Sequence, residues 1–404
     1  MKSFLLLLTL IFGFSCNILP SKDKNNDMDL LLLAGILNTS DWVWVLPPGF
    51  PTPRVPAENP MTKAKVALGR HLFYEKKLSG DETMSCSSCH FQSLAFSDGK
   101  DLPKGITNET HPRNSQHLTN VAYNTKLTWA NTQMTSLEVQ SRVPLFGETP
   151  IELGLTNNDY LTKLKNDSAY QRLFVAAFGN ADTAVNEQNV RFALSSFQRS
   201  MISGWSPFDK AKEGDRSGYS ASASRGSNFF NGETAECFHC HGGFNFTDTN
   251  LHTGQSQSEF AYHNNGTHTK AYFDALPIAK QGLKEITLQE SDQGKFKAPS
   301  LRNVGLTFPY MHDGSIMCDN SANPNHVTGL ANGATRETCA RNALAKVITQ
   351  YANGGNGHPN VDTGLIRPFT IQPSEKEDLI NFLLSLTDQQ FINDPQFSNP
   401  FTNR

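Results

Sequence analysis

The sequence predicts a mainly α-helical protein built as two units, on three observations. No run alternates apolar and polar residues with period two, so strands have no clear signal. Several segments carry apolar residues at helical spacing, among them Val190, Ala193, Leu194, Phe197 and Met201. A C-x-x-C-H pattern occurs once in each half of the chain, as Cys86-Ser87-Ser88-Cys89-His90 and as Cys237-Phe238-His239-Cys240-His241.

That pattern is the attachment signature of c-type haem. Two thiols add across the vinyl groups, and the adjacent histidine is held under the iron. The competing reading is a zinc or redox cysteine pair. Zinc needs further ligands at finger-like spacing, and a redox pair does not require a histidine after the second cysteine in both copies. Two covalent haems are therefore expected, held by Cys86, Cys89 and His90 and by Cys237, Cys240 and His241. Hydrophobic residues make up 38% of the 404 positions, low for a large apolar core. The haems would supply apolar surface for helices to pack on.

Charge is close to balance, with 35 basic and 38 acidic residues, so nothing points to a nucleic-acid partner. Lys2 and the short apolar run 4–14 read as a signal peptide over 1–15, too short to span a bilayer as a mature helix. Gly13-Phe14-Ser15-Cys16 resembles a bacterial lipobox, with Phe14 bulky for the motif. Acylation of Cys16 would tether an exported protein to a membrane; ordinary export with a spare cysteine is the alternative. Haem attachment takes four of the seven cysteines and lipid one. Cys318 and Cys339 remain, and an oxidising periplasm would pair them. Such a bridge is worth about 3 kcal/mol by chain entropy.

In order along the chain, 16–58 is a polar tether and a proline-rich, extended lead-in. A helix over 62–77 opens the first unit, 59–215. Residues 91–150 are rich in Asn, Thr, Gly and Pro and read as loop, with a short helix near 136–141. Long irregular stretches in compact domains usually carry function. Helices follow over 158–178 and 187–202. Residues 217–227, rich in Ser and Gly, read as the link to the second unit, 216–404. That unit is loop-like over 245–295. It has a helix over 337–351, ended by Asn353-Gly354-Gly355, and a last helix opened by a Ser374/Glu377 capping box.

Further motifs stand in order along residues 60–390. They include Leu68-Gly69-Arg70, Leu78-Ser79-Gly80, Ala95-Phe96-Ser97-Asp98-Gly99, Arg113-Asn114-Ser115 and Ser206-Pro207-Phe208-Asp209. Phe296-Lys297-Ala298-Pro299-Ser300-Leu301-Arg302-Asn303 and Pro309-Tyr310-Met311-His312-Asp313-Gly314 follow. With the two haem motifs, they resemble the bacterial di-haem cytochrome c peroxidases and their MauG-like relatives. The resemblance implies two cytochrome c-like domains. One haem meets peroxide and the other receives and stores electrons.

The same resemblance implies site residues. Where relatives carry a distal histidine on the N-terminal haem, this chain has Ile106, so that iron is expected to be five-coordinate. A loop histidine acting as ligand, from His111 or His117, is the competing reading. Glu152, in Pro150-Ile151-Glu152-Leu153-Gly154, matches the distal acid that moves protons during peroxide cleavage. Gln140 matches a pocket glutamine and Trp129 the tryptophan between the haems. Tyr351 matches the MauG-like ligand above the second haem, with Met311 as rival ligand; His312 reads as structural. A calcium ion would be held by Asn114 and the carbonyls of Thr307 and Pro309, hard oxygens as calcium prefers.

The resemblance implies reduction of hydrogen peroxide to water with electrons from a small c-type cytochrome or similar donor. One alternative is MauG-like oxidation of a protein or small molecule through high-valent haem. The other is a non-catalytic di-haem electron carrier. Related peroxidases are often dimers, so a homodimer is an expectation, although no interface is legible.

Overall fold

The computed structural model describes residues 41–255, 262–318 and 335–401. The leader, the Cys16 lipidation point and the tether up to residue 40 lie outside these residues, as does 319–334, most of the segment between Cys318 and Cys339. The described chain is mostly helical, as expected.

Helix α1 spans Lys63–Tyr74, and its Thr62 cap accepts from the Lys65 N–H. A turn at Lys76–Leu78 completes the expected segment. Helices α2 (Leu137–Gln140) and α3 (Arg142–Phe146) follow the long loop. The single helix expected over 158–178 is two, α4 (Asp159–Lys165) and α5 (Ser168–Phe178). The Asp167 carboxylate accepts from the Ala169 N–H and caps α5, so the chain restarts there rather than continuing. Helix α6 (Glu187–Arg199) is capped by Asn186, and α7 (Pro207–Lys212) by a box of Ser206 and Asp209.

The expected serine- and glycine-rich link over 217–227 is largely helix. Helix α8 runs Ala221–Phe230 with Ser220 as its cap. The small residues serve close packing there rather than flexibility. Strands β1 (Tyr262–His263) and β2 (Phe296–Lys297) pair antiparallel, Tyr262 opposite Lys297, and are too short to show an alternating pattern. Between them lie α9 (Lys270–Asp274) and α10 (Lys284–Thr287). Helix α11 (Arg336–Ala352) extends the expected 337–351 by one residue at each end. Helix α12 (Pro373–Leu384) is boxed by Gln372 and Glu375, not by Ser374 and Glu377, because Pro373 fixes the first helical position. Helix α13 spans Gln389–Asn393.

One packing device appears in both halves. Gly69 on α1 lies so close to α6 that a Cβ would sit 1.9 Å from the Ala193 carbonyl oxygen. Gly226 on α8 meets α12 in the same way, 1.9 Å from the Asp378 oxygen. Each glycine is followed four residues on by a buried phenylalanine, Phe73 or Phe230. Buried apolar residues form two main clusters. One is built on α1, α5 and α6, the other on α8, α11 and α12. Phe391 and Phe397 cross back into the first cluster, so the C-terminus closes over the N-terminal core.

A buried polar seam ties the halves together. The Asp388 carboxylate accepts from Ser203 Oγ and from the Gly204 and Trp205 N–H groups, each at 3.0 Å. Asn303 Nδ2 donates to Thr119 and Ser203, and its Oδ1 accepts from the Asp388 N–H. Arg302 is buried, paired to Asp209 at 2.6 Å, and its guanidinium lies over the rings of Phe50 and Phe246. Cys318 and Cys339 are joined in a disulfide beside Phe308 and Ala340, with Cα atoms 5.0 Å apart. Among the described residues, no helix is long and apolar enough to cross a membrane.

Candidate functional site

Two cavities open beside the two C-x-x-C-H motifs. The first is lined by Cys86, Cys89 and His90 together with Gln140 and Glu152. The left-handed backbone of Ala95 and Phe96 turns the chain after the motif back on itself. The Phe96 carbonyl thereby reaches His90 Nδ1 at 2.6 Å. A carbonyl only accepts, so Nδ1 holds the proton and Nε2 keeps its lone pair for a metal. The second cavity repeats this arrangement. It is lined by Cys237, Cys240 and His241, and His241 Nδ1 lies 3.1 Å from the Pro299 carbonyl and 3.3 Å from that of Phe246.

Burial pushes the Cys86, Cys89 and Cys237 thiols up to about 12. They are neutral thiols in apolar surroundings, unlike the activated thiolate of a redox pair. Neither motif forms a disulfide. The donor set therefore fits covalent haem: two paired thiols, an oriented imidazole and an apolar cavity at each site. When bound, haem would supply a redox-active iron.

Trp129 lines both cavities, as do Asn114, Ser115 and Gln116, so this group forms the wall between them. The Trp129 Nε1–H donates to the Asn114 carbonyl at 2.8 Å, and its own carbonyl accepts from the Lys297 N–H of β2 at 2.8 Å. Gln140, at the end of α2, faces the first cavity and is half-buried.

Glu152 Oε1 lies 3.2 Å from His111 Nε2. Nothing in the order of residues pairs these two, because they are distant in the chain. The link is the Ile106 N–H, which donates to the Glu152 carbonyl and brings the two loops together. Ile106 itself packs toward Gly80 and Gly154 and is not among the residues lining the cavity. His117 lines the second cavity instead, its Nε2 2.9 Å from the Ser300 carbonyl.

In the second cavity, the Tyr351 hydroxyl accepts from Asn265 Nδ2 at 3.2 Å. The same nitrogen lies 3.5 Å from Met311 Sδ. Both candidate ligands thus reach one spot, and burial pushes the Tyr351 phenol up to about 12. Asn265 was not singled out in the sequence. Nor was His263, which bridges Asp248 at 2.5 Å and Asp362 at 3.2 Å. Asn114 Nδ2 donates to the Lys100 and Asp101 carbonyls, leaving Oδ1 without a hydrogen bond among the described residues. Asn114, Thr307 and Pro309 all line the second cavity. His312 stacks on Phe296, with ring centroids 3.6 Å apart.

A family model for di-haem cytochrome c peroxidase matches residues 63–217. The methylamine utilization protein MauG of Methylorubrum extorquens is 32% identical over 331 residues, 82% of this chain and 80% of that protein. The cytochrome-c peroxidase IdrP1 of Denitromonas iodatirespirans is 31% identical over 377 residues, covering 88% and 91%. Among solved structures, a MauG-like protein associated with microbial copper homeostasis superposes with a TM-score of 0.78 at 38% identity, over 89% of this chain and 99% of that one. The diheme peroxidase BthA of Burkholderia thailandensis shares the fold, with a TM-score of 0.61 at 18% identity, over 88% and 96%. The chain belongs to the di-haem cytochrome c peroxidase and MauG family, an oxidoreductase family that implies two c-type haems.

Proposed function

We propose that this protein reduces hydrogen peroxide to water at the first cavity, with electrons from a small c-type cytochrome or similar donor entering by way of the second. The observation that carries this reading is the contrast between the cavities. The first joins an oriented His90 to a carboxylate, Glu152; the other side chains of haem-ligand type on its wall are His111, Met84 and Met134. His111 Nε2 is engaged by Glu152. The second places Tyr351 and Met311 in the same space as His241.

Two protons and two electrons convert one peroxide into two waters. Glu152 takes the proton from the near oxygen and returns it to the leaving oxygen, as a general base and then acid. His111 holds the carboxylate in place. Gln140 hydrogen-bonds the bound substrate. Trp129, in the shared wall, shortens the path for electrons between the sites. A calcium ion on Asn114 Oδ1 and the carbonyls of Thr307 and Pro309 braces that wall. The chain is exported, with two haem domains over 59–215 and 216–404.

A second reading has one specific observation in its favour. Tyr351 is a hard oxygen ligand that favours oxidised iron, which suits MauG-like oxidation of a protein or small molecule. Steady-state turnover of peroxide with reduced cytochrome c separates the two. Fast turnover supports the peroxidase, and slow donor oxidation supports the second reading. In either case Glu152→Gln lowers the rate of peroxide cleavage by about 100-fold or more. An unchanged rate overturns the role of Glu152 and leaves a different acid or, where the parent also fails to turn over peroxide, a di-haem carrier.

A further inference from the structure

We propose that His268, His312 and Asp313 form a binding site for a divalent late-first-row transition ion, Zn(II) or Cu(II), at the outer edge of the second cavity, with only His312 on the cavity wall. One ligand atom from each residue lies within 4.8 Å of the other two. His312 is only 7% exposed, yet neither of its ring nitrogens makes a hydrogen bond among the described residues. Buried polar groups are nearly always paired, and an exception calls for a missing water or ion. His312, whose ring also borders the second cavity, offers a nitrogen with no hydrogen-bond partner among the described residues beside a carboxylate.

The surroundings hold each group in place. The Asp313 Oδ1 accepts from the Ser315 N–H at 3.1 Å, which turns Oδ2 toward His268 Nε2 at 2.6 Å and the Tyr272 hydroxyl at 3.3 Å. His268 stacks on Tyr272 with ring centroids 3.8 Å apart. His312 stacks on Phe296 and meets His268 edge to face. Such anchoring by neighbouring groups is typical of metal ligands. The nearby Arg113 is paired to Glu285 at 2.7 Å, so its charge is answered away from the cluster.

Two imidazoles and one carboxylate suit zinc, copper and similar ions, whereas magnesium and calcium favour oxygen alone. Donors about 2.1 Å from one ion stand roughly 3.4 Å apart in tetrahedral geometry. Small rotations of His268 and His312 reach that spacing. As the ion takes Nε2, the proton that His268 now donates to Asp313 is replaced by one at Nδ1, so the ring binds as a neutral imidazole. His268 and Asp313 are partly exposed, which gives an entry path, and Tyr272 or water completes the shell. The His312 carbonyl also accepts from the Asn114 N–H, whose own carbonyl holds Trp129. An ion here therefore braces the wall between the two cavities from outside.

The test is titration of the chelator-treated holoprotein with Cu(II), read by EPR, and with Zn(II), read by bound-metal stoichiometry. We expect one equivalent of either ion, nitrogen hyperfine coupling on copper, and roughly tenfold or greater weakening in both His268→Ala and Asp313→Asn, with haem content unchanged. Neither residue lines a haem cavity. Absence of one-equivalent binding in the parent, or binding in both variants as tight as in the parent, overturns the site and leaves His312 serving the second cavity alone. Metal stoichiometry is read without peroxide, so this result is independent of the proposed activity.

Discussion

His263 shows how a side chain beside a haem site is set by its neighbours. Burial alone would lower its pKa, but the hydrogen bond to Asp248 and contributions from the Cys240 thiol raise it to about 11. A base raised in the folded state adds stability that is complete below its unfolded value, near pH 6.5, and is lost as pH rises through the folded value. A thioether at Cys240 removes part of the rise, so in holoprotein the loss begins below pH 11. The stability gap between parent and His263→Gln, from denaturant titrations, should therefore be widest near pH 6 and close as pH rises; a gap that widens in alkali would refute this charge state. Residue roles were unevenly legible in the sequence. The haem-motif residues were legible because covalent chemistry fixes their spacing. Glu152, Gln140, Trp129 and Tyr351 were legible through resemblance, and all four line a cavity. His111, Asn265 and His263 were not, because each takes its part from a partner far away in the chain.

Among the elements, the pairing of α1 with α6 and of α8 with α12 depends on a glycine at the crossing. Overpacking a tight contact costs about 1–3 kcal/mol. Gly226→Ala puts its Cβ against the backbone carbonyl of Asp378, which cannot rotate away. It should lower stability by roughly 2 kcal/mol. Gly218→Ala, whose nearest neighbour is Pro207 Cβ at 3.5 Å, should change it by less than about 0.5 kcal/mol. Equal unfolding midpoints for the two variants would show that the crossing is loose. Helices with an apolar stripe, such as α6, were readable from periodicity. Helix α8 was missed because its Ala-Ser-Ala-Ser-Arg-Gly opening has the composition of a linker. Its helical state follows from packing on α12, a tertiary cause that local propensity does not carry. The break between α4 and α5 was missed for a different reason. Asn166 and Asp167 suit a cap as well as an exposed helical face, and only the hydrogen bond to Ala169 decides.

Across the whole molecule, the two apolar clusters each wrap one C-x-x-C-H motif, while Asp388, Asn303 and the C-terminal aromatics lock them together. Trp129 and the 114–116 segment are held in that joint, with a cavity on either side. On the proposed function, one site keeps an open face for a small oxidant and the other is closed by Tyr351 or Met311. EPR of the fully oxidised holoprotein tests this inequality most directly. One high-spin ferric signal and one low-spin signal of His/Tyr type, in equal amounts, are the expected result. Two low-spin centres in every redox state would contradict an open first site, and with it peroxide chemistry at Glu152.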